Sequence, residues 1–223
     1  MLYVVPTPIG NLKDITFRAI DVLNEVDLIL AEDTRVTGNL LRHYGISKPL
    51  MSYHDHNEHK ILNKVIEKLR AGSKIALVSD AGTPLISDPG FLIVRECFRN
   101  QIAVCPLPGP SALTTALSGS GLPTDKFHFE GFMPHKKGRA KRWEFLKTYP
   151  DTIVFYESPH RIKKLIVEIK ENLGEETQIS IAKEISKLYE RFNLGSAKDL
   201  IDYFQEDVKQ KGEYVVMANK NEK

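Results

Sequence analysis

Cysteine is scarce: Cys97 and Cys105 are the only two in 223 residues. So few thiols exclude a disulfide framework and fit a reducing compartment. Cys97 falls on an apolar helical face and Cys105 near a strand end, both positions for core fillers. No apolar run reaches the roughly 18 residues a bilayer-spanning helix needs. The N-terminal MLYVVPTPIG lacks a basic region leading into a long apolar stretch, so no secretory signal is read and the expected location is cytoplasmic. Net charge is only +2, so no global field demands a nucleic-acid partner, and local clusters of charge matter more. Both common phosphate-cradling signatures are missing: there is no GxxxxGKS/T, and no GxGxxG follows the first apolar run. Internal repeats and low-complexity segments are absent as well.

What is present is a chain that can bury a core, with 42% hydrophobic residues, long enough for two units of about 100 residues each. Short apolar runs alternate with helical periodicity. Strands are expected at 2–5, 27–31, 74–79 and 102–105. Helices are expected from about 14, around 40–44, at 56–71, from Asp88 (as N-cap, with Pro89 in the first turn) and at 111–117. The turn-rich segment SGSGLPTD, 118–125, marks a domain boundary, giving units 1–118 and 119–223. Beyond it, strands are expected at 127–132, 152–157, 178–183, 188–194 and 214–218. Helices are expected at 138–149, 159–173 and 197–206. The class is α/β with a largely parallel sheet.

The irregular residues cluster just after strands: 6–11, 32–35, 79–90, 106–111 and 157–161. In open parallel sheets that edge is where ligands bind. The stretch ALVSDAGTPLISDPG (76–90) makes two rigid turns where a simple connection needs one. Proline occupies several of these corners and has no N–H to offer a phosphate. The corners present carbonyls and stiff apolar walls, which suit a molecule of little negative charge: a purine ring, with a cation.

Seven segments then match a known family in order: VVPTPIGNLKDIT (4–16), AEDTR (31–35), HDHNE (54–58), ALVSDAGTPLISDPG (76–90), PLPGPSA (106–112), FYESPHR (155–161) and KGEYV (211–215). The chain resembles the ribosomal RNA small subunit methyltransferase I branch of the tetrapyrrole methylase-like superfamily. The resemblance implies two α/β domains with the cofactor cleft between them, usually as a homodimer. It implies methyl transfer from S-adenosylmethionine to the 2′-hydroxyl of a cytidine in small-subunit (16S) ribosomal RNA. The cofactor contacts it implies are Pro8, Gly82, Thr83, Ile86, Ser111 and Ala112, with Tyr156, Ala182 and Gly212 from the second domain.

In-line methyl transfer depends mostly on positioning, and a ribose hydroxyl gains from a proton acceptor. Charged groups on the expected rim include Glu32, Asp33, Arg35, Asp80, Asp88, Glu157, His160, Arg161, Lys183 and Glu184. Asp33, Arg35 and Glu157 are the catalytic candidates. Asp33 with Arg35, and Glu157 with Arg161, can equally pair locally and hold their loops. His54, His56 and His59 fit loop positions or RNA contacts better than a metal site, and no metal is expected. HKKGRAKRWEFLK (135–147) is the one strong basic cluster. Lys136, Lys137, Arg139 and Arg142 are expected RNA contacts, with Trp143 in the core. Two other readings stay open: a methylase of a tetrapyrrole precursor, and a non-catalytic RNA-binding module on the same fold.

Overall fold

The computed structural model describes residues 1–205 and 212–221. The chain forms two compact units that divide between Ser111 and Ala112. The N-terminal unit runs β1 (Leu2–Val4), a 3-10 turn (Leu12–Asp14), α1 (Phe17–Glu25), β2 (Leu28–Ala31), α2 (Thr34–His43), β3 (Leu50–Ser52), α3 (Glu58–Arg70), β4 (Ile75–Val78), α4 (Phe91–Arg99) and β5 (Val104–Pro106). Its strands pair in parallel in the order β3-β2-β4-β1-β5.

The period-2 side-chain alternation of these strands divides their apolar residues between two faces. Ile29, Ala31, Ala76 and Val78 face α1 and α2 through Val22, Leu23 and Leu41. Leu28, Leu30, Ile75 and Leu77 face α3 and α4 through Val65, Leu69, Ile93 and Cys97. Covered on both sides, β2 and β4 are buried at every residue, which is why they read as unbroken apolar runs. Strand β3, which periodicity does not reveal, is a three-residue edge strand paired only with β2.

One helix start differs from expectation. Asp88 does not cap α4: the N-cap is Gly90, with φ +137°. A Cβ there would fall 2.8 Å from Leu77 Cδ2 and 2.9 Å from Leu85 Cδ1, so the chain turns into the helix where only glycine fits.

The C-terminal unit runs α5 (Ala112–Gly119), β6 (Phe127–Phe132), α6 (Arg139–Thr148), β7 (Thr152–Glu157), α7 (Ile162–Leu173), β8 (Gln178–Lys183), β9 (Arg191–Ser196), α8 (Ala197–Gln205) and β10 (Tyr214–Asn219). The strand order is β6-β7-β10-β8-β9. Here a largely parallel sheet is not what forms. Only β6 and β7 pair in parallel, and the other pairings are antiparallel. The physical reason is connectivity: β8 and β9 are joined without a helix, so they can only run back along each other. Helices α6, α7 and α8 cover one face through Trp143, Leu146, Leu165, Ile169, Leu200 and Phe204. Helix α5 packs on β10, so the division of the chain precedes this helix rather than following it at 118. Helix α7 begins at Ile162 rather than Pro159, because Ser158–Arg161 forms a turn in which the Ser158 carbonyl accepts from the N–H groups of Arg161 and Ile162. The expected end of α8 at 206 lies outside the described residues.

The loop after β5 lies against the loop after β1: a Cβ on Gly109 would sit 2.7 Å from Pro6 Cβ. Gly109→Ala is therefore expected to cost about 1–3 kcal/mol of stability by overpacking, read as a lower urea midpoint with an unchanged slope.

Candidate functional site

Because all five N-terminal strands run the same way, their carboxyl ends share one edge, and the loops after β1, β2, β4 and β5 leave from it. These loops are tied to one another. Thr7 N–H donates to the Gly82 carbonyl at 2.9 Å, and Gly82 N–H returns to the Thr7 carbonyl at 3.0 Å. The buried Thr7 hydroxyl donates to the Ser79 carbonyl at 3.0 Å. The Thr83 hydroxyl donates to the Pro110 carbonyl at 2.9 Å. Within the double turn, Leu85 and Ser87 hold left-handed φ values of +73° and +68°. Such residues cost about 1–3 kcal/mol each and persist only where the surroundings impose them. The second turn thus carries Ile86 on a strained, fixed arch, and Gly82 and Thr83 sit in the first turn, where they tie to the loops after β1 and β5.

Beside this arch is a cleft of about 210 Å³, lined by Thr7, Pro8, Leu12, Val36, Thr37, Asn39, Leu40, Ser79 and Asp80. Asp33 caps α2, accepting the Arg35 N–H at 2.8 Å, and its carboxylate also takes the exposed Arg35 guanidinium. That pairing holds the Asp33 carboxyl down at about 2. The Asp33 N–H in turn donates to Asp80 Oδ1 at 3.0 Å. Asp33 and Arg35 are therefore held together on the rim as a cap and its ion pair.

The same edge is rich in carboxylates. Burial raises the Glu32 carboxyl above its ordinary value, and the charges of Asp80 and Asp55 add to this. Asp88, half-buried inside the double turn, is pushed up to about 6. Burial is the main cause, the charges of Glu32, Asp80 and Asp55 reinforce it, and a hydrogen bond with Ser79 opposes it. Sequence reasoning missed this role, since Asp-Pro-Gly at a helix start reads as a cap. It also missed Thr37, which looks like an ordinary helical threonine. Among the described residues no group of three or more His, Cys, Asp or Glu is arranged to hold a metal ion.

In the C-terminal unit, Tyr156 lies at the end of β7 with its ring 5.0 Å from Phe129 and 5.8 Å from Phe132. Gly212 leads into β10 beside the Glu184 side chain, whose Oε1 accepts the Glu213 N–H at 3.0 Å. Lys211 of KGEYV lies outside the described residues. Three expectations are corrected here. Ala182 is 0% exposed inside β8, so it offers a ligand no surface. Glu157 is buried beneath its own turn, where Oε1 takes Ser158 N–H and the Arg161 guanidinium, each at 2.8 Å, so it is a scaffold carboxylate rather than a reacting one. Arg139 is 6% exposed. It forks onto Glu168 and donates to the Pro134 carbonyl at 2.7 Å, and so has no free face for RNA. Arg142 pairs with Glu130 and lies over the Phe145 ring, partly exposed. Lys136 and Lys137 are exposed, and Trp143 is core.

A parallel sheet with a tied, proline-cornered edge, followed by a mixed sheet, defines an α/β architecture of two sheets. Residues 1–201 match the family model for tetrapyrrole (corrin/porphyrin) methylases. The ribosomal RNA small subunit methyltransferase I of Escherichia coli O157:H7 is 50% identical over 219 residues, covering 97% of this chain and 77% of the relative. That of Thermotoga maritima is 47% identical over 221 residues, covering 99% of each. Among solved structures, uroporphyrin-III C-methyltransferase of Thermus thermophilus complexed with S-adenyl homocysteine aligns with TM-score 0.66 at 18% identity, over 98% of this chain and 96% of that one. Diphthine synthase aligns with TM-score 0.74 at 13% identity, over 98% and 89%. The chain belongs to the tetrapyrrole methylase family, within its ribosomal RNA small subunit methyltransferase I branch.

The residues of the N-terminal rim fit a positively charged nucleoside cofactor. Loops 5–11, 79–90 and 107–111 contain no Lys or Arg. The nearby carboxylates of Glu32, Asp80 and Asp88 make the edge favourable for a cation and unfavourable for phosphate.

Three outcomes follow from this geometry. A carboxyl whose folded pKa lies at about 6, against an ordinary ~3.9, contributes stability below pH ~4 that is lost as pH rises through 6. Asp88→Asn is accordingly expected to leave stability at pH 4 nearly unchanged. At pH 7.5 it should raise stability by about 1 kcal/mol, a value reduced for partial solvent screening; melting across that pH range reads the difference. Arg139→Ala strips the forked guanidinium from half-buried Glu168 and is expected to cost about 2 kcal/mol. The double replacement of Lys136 and Lys137 by alanine should stay within about 0.5 kcal/mol of the parent in the same urea titration.

Proposed function

We propose that this chain transfers a methyl group from S-adenosylmethionine to the 2′-hydroxyl of a cytidine ribose in small-subunit ribosomal RNA. The observation that carries this reading is the 50% identity to a ribosomal RNA small subunit methyltransferase I over 97% of the chain. The sulfonium cofactor supplies an activated methyl group when bound. The chain's own part is to grip, orient and accept a proton. Pro8, Gly82, Thr83 and Ile86, with Ser111 and Ala112 at the end of the β5 loop, are the proposed N-terminal holders. Tyr156 and the Gly212 turn are the proposed C-terminal ones. The tied loops keep the N-terminal groups fixed, and positioning is where most of the acceleration of an in-line transfer arises. Among the rim carboxylates, Asp88 has a pKa close to working pH and is the best tuned to receive the hydroxyl proton. Asp33 positions Arg35 by pairing with its guanidinium, and the Arg35 side chain, 89% exposed, keeps an outward edge that can meet an RNA phosphate.

Lys136 and Lys137 are the proposed RNA contacts on the second unit, with the exposed part of Arg142 beside them. Exposed lysines give phosphate contacts that weaken as salt rises. The same reading expects a cytoplasmic enzyme working as a homodimer. The exposed apolar side chains of Leu188, Tyr189 and Leu194 support the pairing of chains.

Incubation with labelled S-adenosylmethionine and small ribosomal subunits lacking the modification, followed by nucleoside analysis, tests the reaction. Label on a 2′-O-methylcytidine is expected; label on a base atom, or none, overturns the assignment. Replacing Lys136 and Lys137 together by alanine is expected to weaken RNA binding and flatten its salt dependence, with cofactor affinity unchanged; an unaltered salt slope would remove these lysines from the RNA face.

A further inference from the structure

The cleft beside α2 has a feature that the reaction as described does not use. Thr37 lines it, is 2% exposed, and its Oγ1 has no hydrogen-bond partner. A buried hydroxyl left without a partner is unfavourable and calls for one. Leu12 and Val36 stand at the same cleft with 40% and 43% of their surface uncovered. Asp80 completes the lining, with one oxygen fixed by the Asp33 N–H at 3.0 Å. The cleft thus combines an unsatisfied hydroxyl, an oriented carboxylate and apolar walls, the composition of a small-molecule subsite.

Its size and charge narrow the occupant. At about 210 Å³ it holds the equivalent of roughly seven waters at ~30 Å³ each. That is below the ~300–1,000 Å³ of sites that enclose a whole drug-sized ligand. It can seat one nucleoside but not a length of RNA. The carboxylates of Asp80 and of its neighbours Glu32 and Asp88 repel phosphate. With the sulfonium cofactor assigned to the arch of Gly82, Thr83 and Ile86, the occupant left for the cleft is the neutral portion of a nucleotide, and it carries a donor for Asp80.

We propose that this cleft seats the base and sugar of the acceptor nucleoside, drawn out of its stack, with the Thr37 hydroxyl hydrogen-bonding to it and the Asp80 carboxylate accepting from its amino or hydroxyl group. This rests on the ribosomal RNA reading above. Thr37 is then a specificity contact, and its missing partner is supplied by the substrate.

The test compares Thr37→Val with Thr37→Ser. Because the hydroxyl has no partner within the protein, Thr37→Val is expected to melt no lower than the parent and to bind S-adenosylmethionine equally well. Its kcat/KM for small ribosomal subunits should fall about tenfold, and Thr37→Ser should recover most of the loss. A Thr37→Val enzyme with parental kcat/KM overturns the inference. Titration of the parent protein with cytidine, followed by the methyl resonance of Thr37 with that of Thr152 as reference, decides the matter separately from turnover. A shift at Thr37 alone supports the subsite; no shift, or a shift with inorganic phosphate and none with cytidine, overturns it. If the parent protein methylates no ribosomal RNA, the proposed reaction fails by itself, and the cytidine titration still judges the cleft.

Discussion

The pair of hydrogen bonds between Thr7 and Gly82 is the constraint on which the N-terminal rim depends. It joins the loop after the first strand to the loop after the fourth, and both bonds are backbone to backbone, so they fix main chain as well as side chains. The Thr7 hydroxyl on Ser79 and the Thr83 hydroxyl on Pro110 extend the same tie to either side. With the loops locked in this way, Leu85 and Ser87 can be held in conformations that an unsupported loop would abandon. A rim assembled like this does not have to reorganise when a ligand arrives, and preorganisation is what a positioning catalyst requires.

Much of this was legible in the sequence because it follows from strong local signals. Apolar runs such as LILA and IALV are buried on both sides, so they announce a parallel sheet and the edge on which its loops gather. The boundaries of β6, β7 and β8 fall where alternation and turn residues put them. What failed was decided by contacts distant in sequence. Nothing local distinguishes a parallel from an antiparallel partner for β10, which enters between β7 and β8. Asp88-Pro89 carries every local mark of a helix start, yet crowding by Leu77 and Leu85 moves that start to Gly90.

Charged residues were the hardest to read, because a carboxylate or guanidinium is defined by its partner. Arg139 and Lys136 look alike within one basic stretch, but Arg139 faces inward to Glu168, which also accepts from the Trp143 indole N–H, while Lys136 is exposed. Glu157 and Asp88 both follow strands. One ends under an arginine of its own turn; the other sits half-buried among like charges, and burial together with those charges moves its proton affinity towards neutrality. The basic segment is thus part scaffold and part open surface, and its two kinds of residue answer to different measurements.

The position of β1 also bears on how the molecule is made. It precedes the other described strands in the sequence, yet it lies between β4 and β5, whose pairing residues begin at Ile75 and Val104. During translation this strand must stay unpaired until β4 has emerged, and its second ladder closes only when β5 follows. Loop-closure entropy makes such long-range parallel pairing slow. The newborn N-terminal half therefore exposes Leu2, Tyr3 and Val4 for longer than any other strand, and it is the stage at which a chaperone would have most to protect.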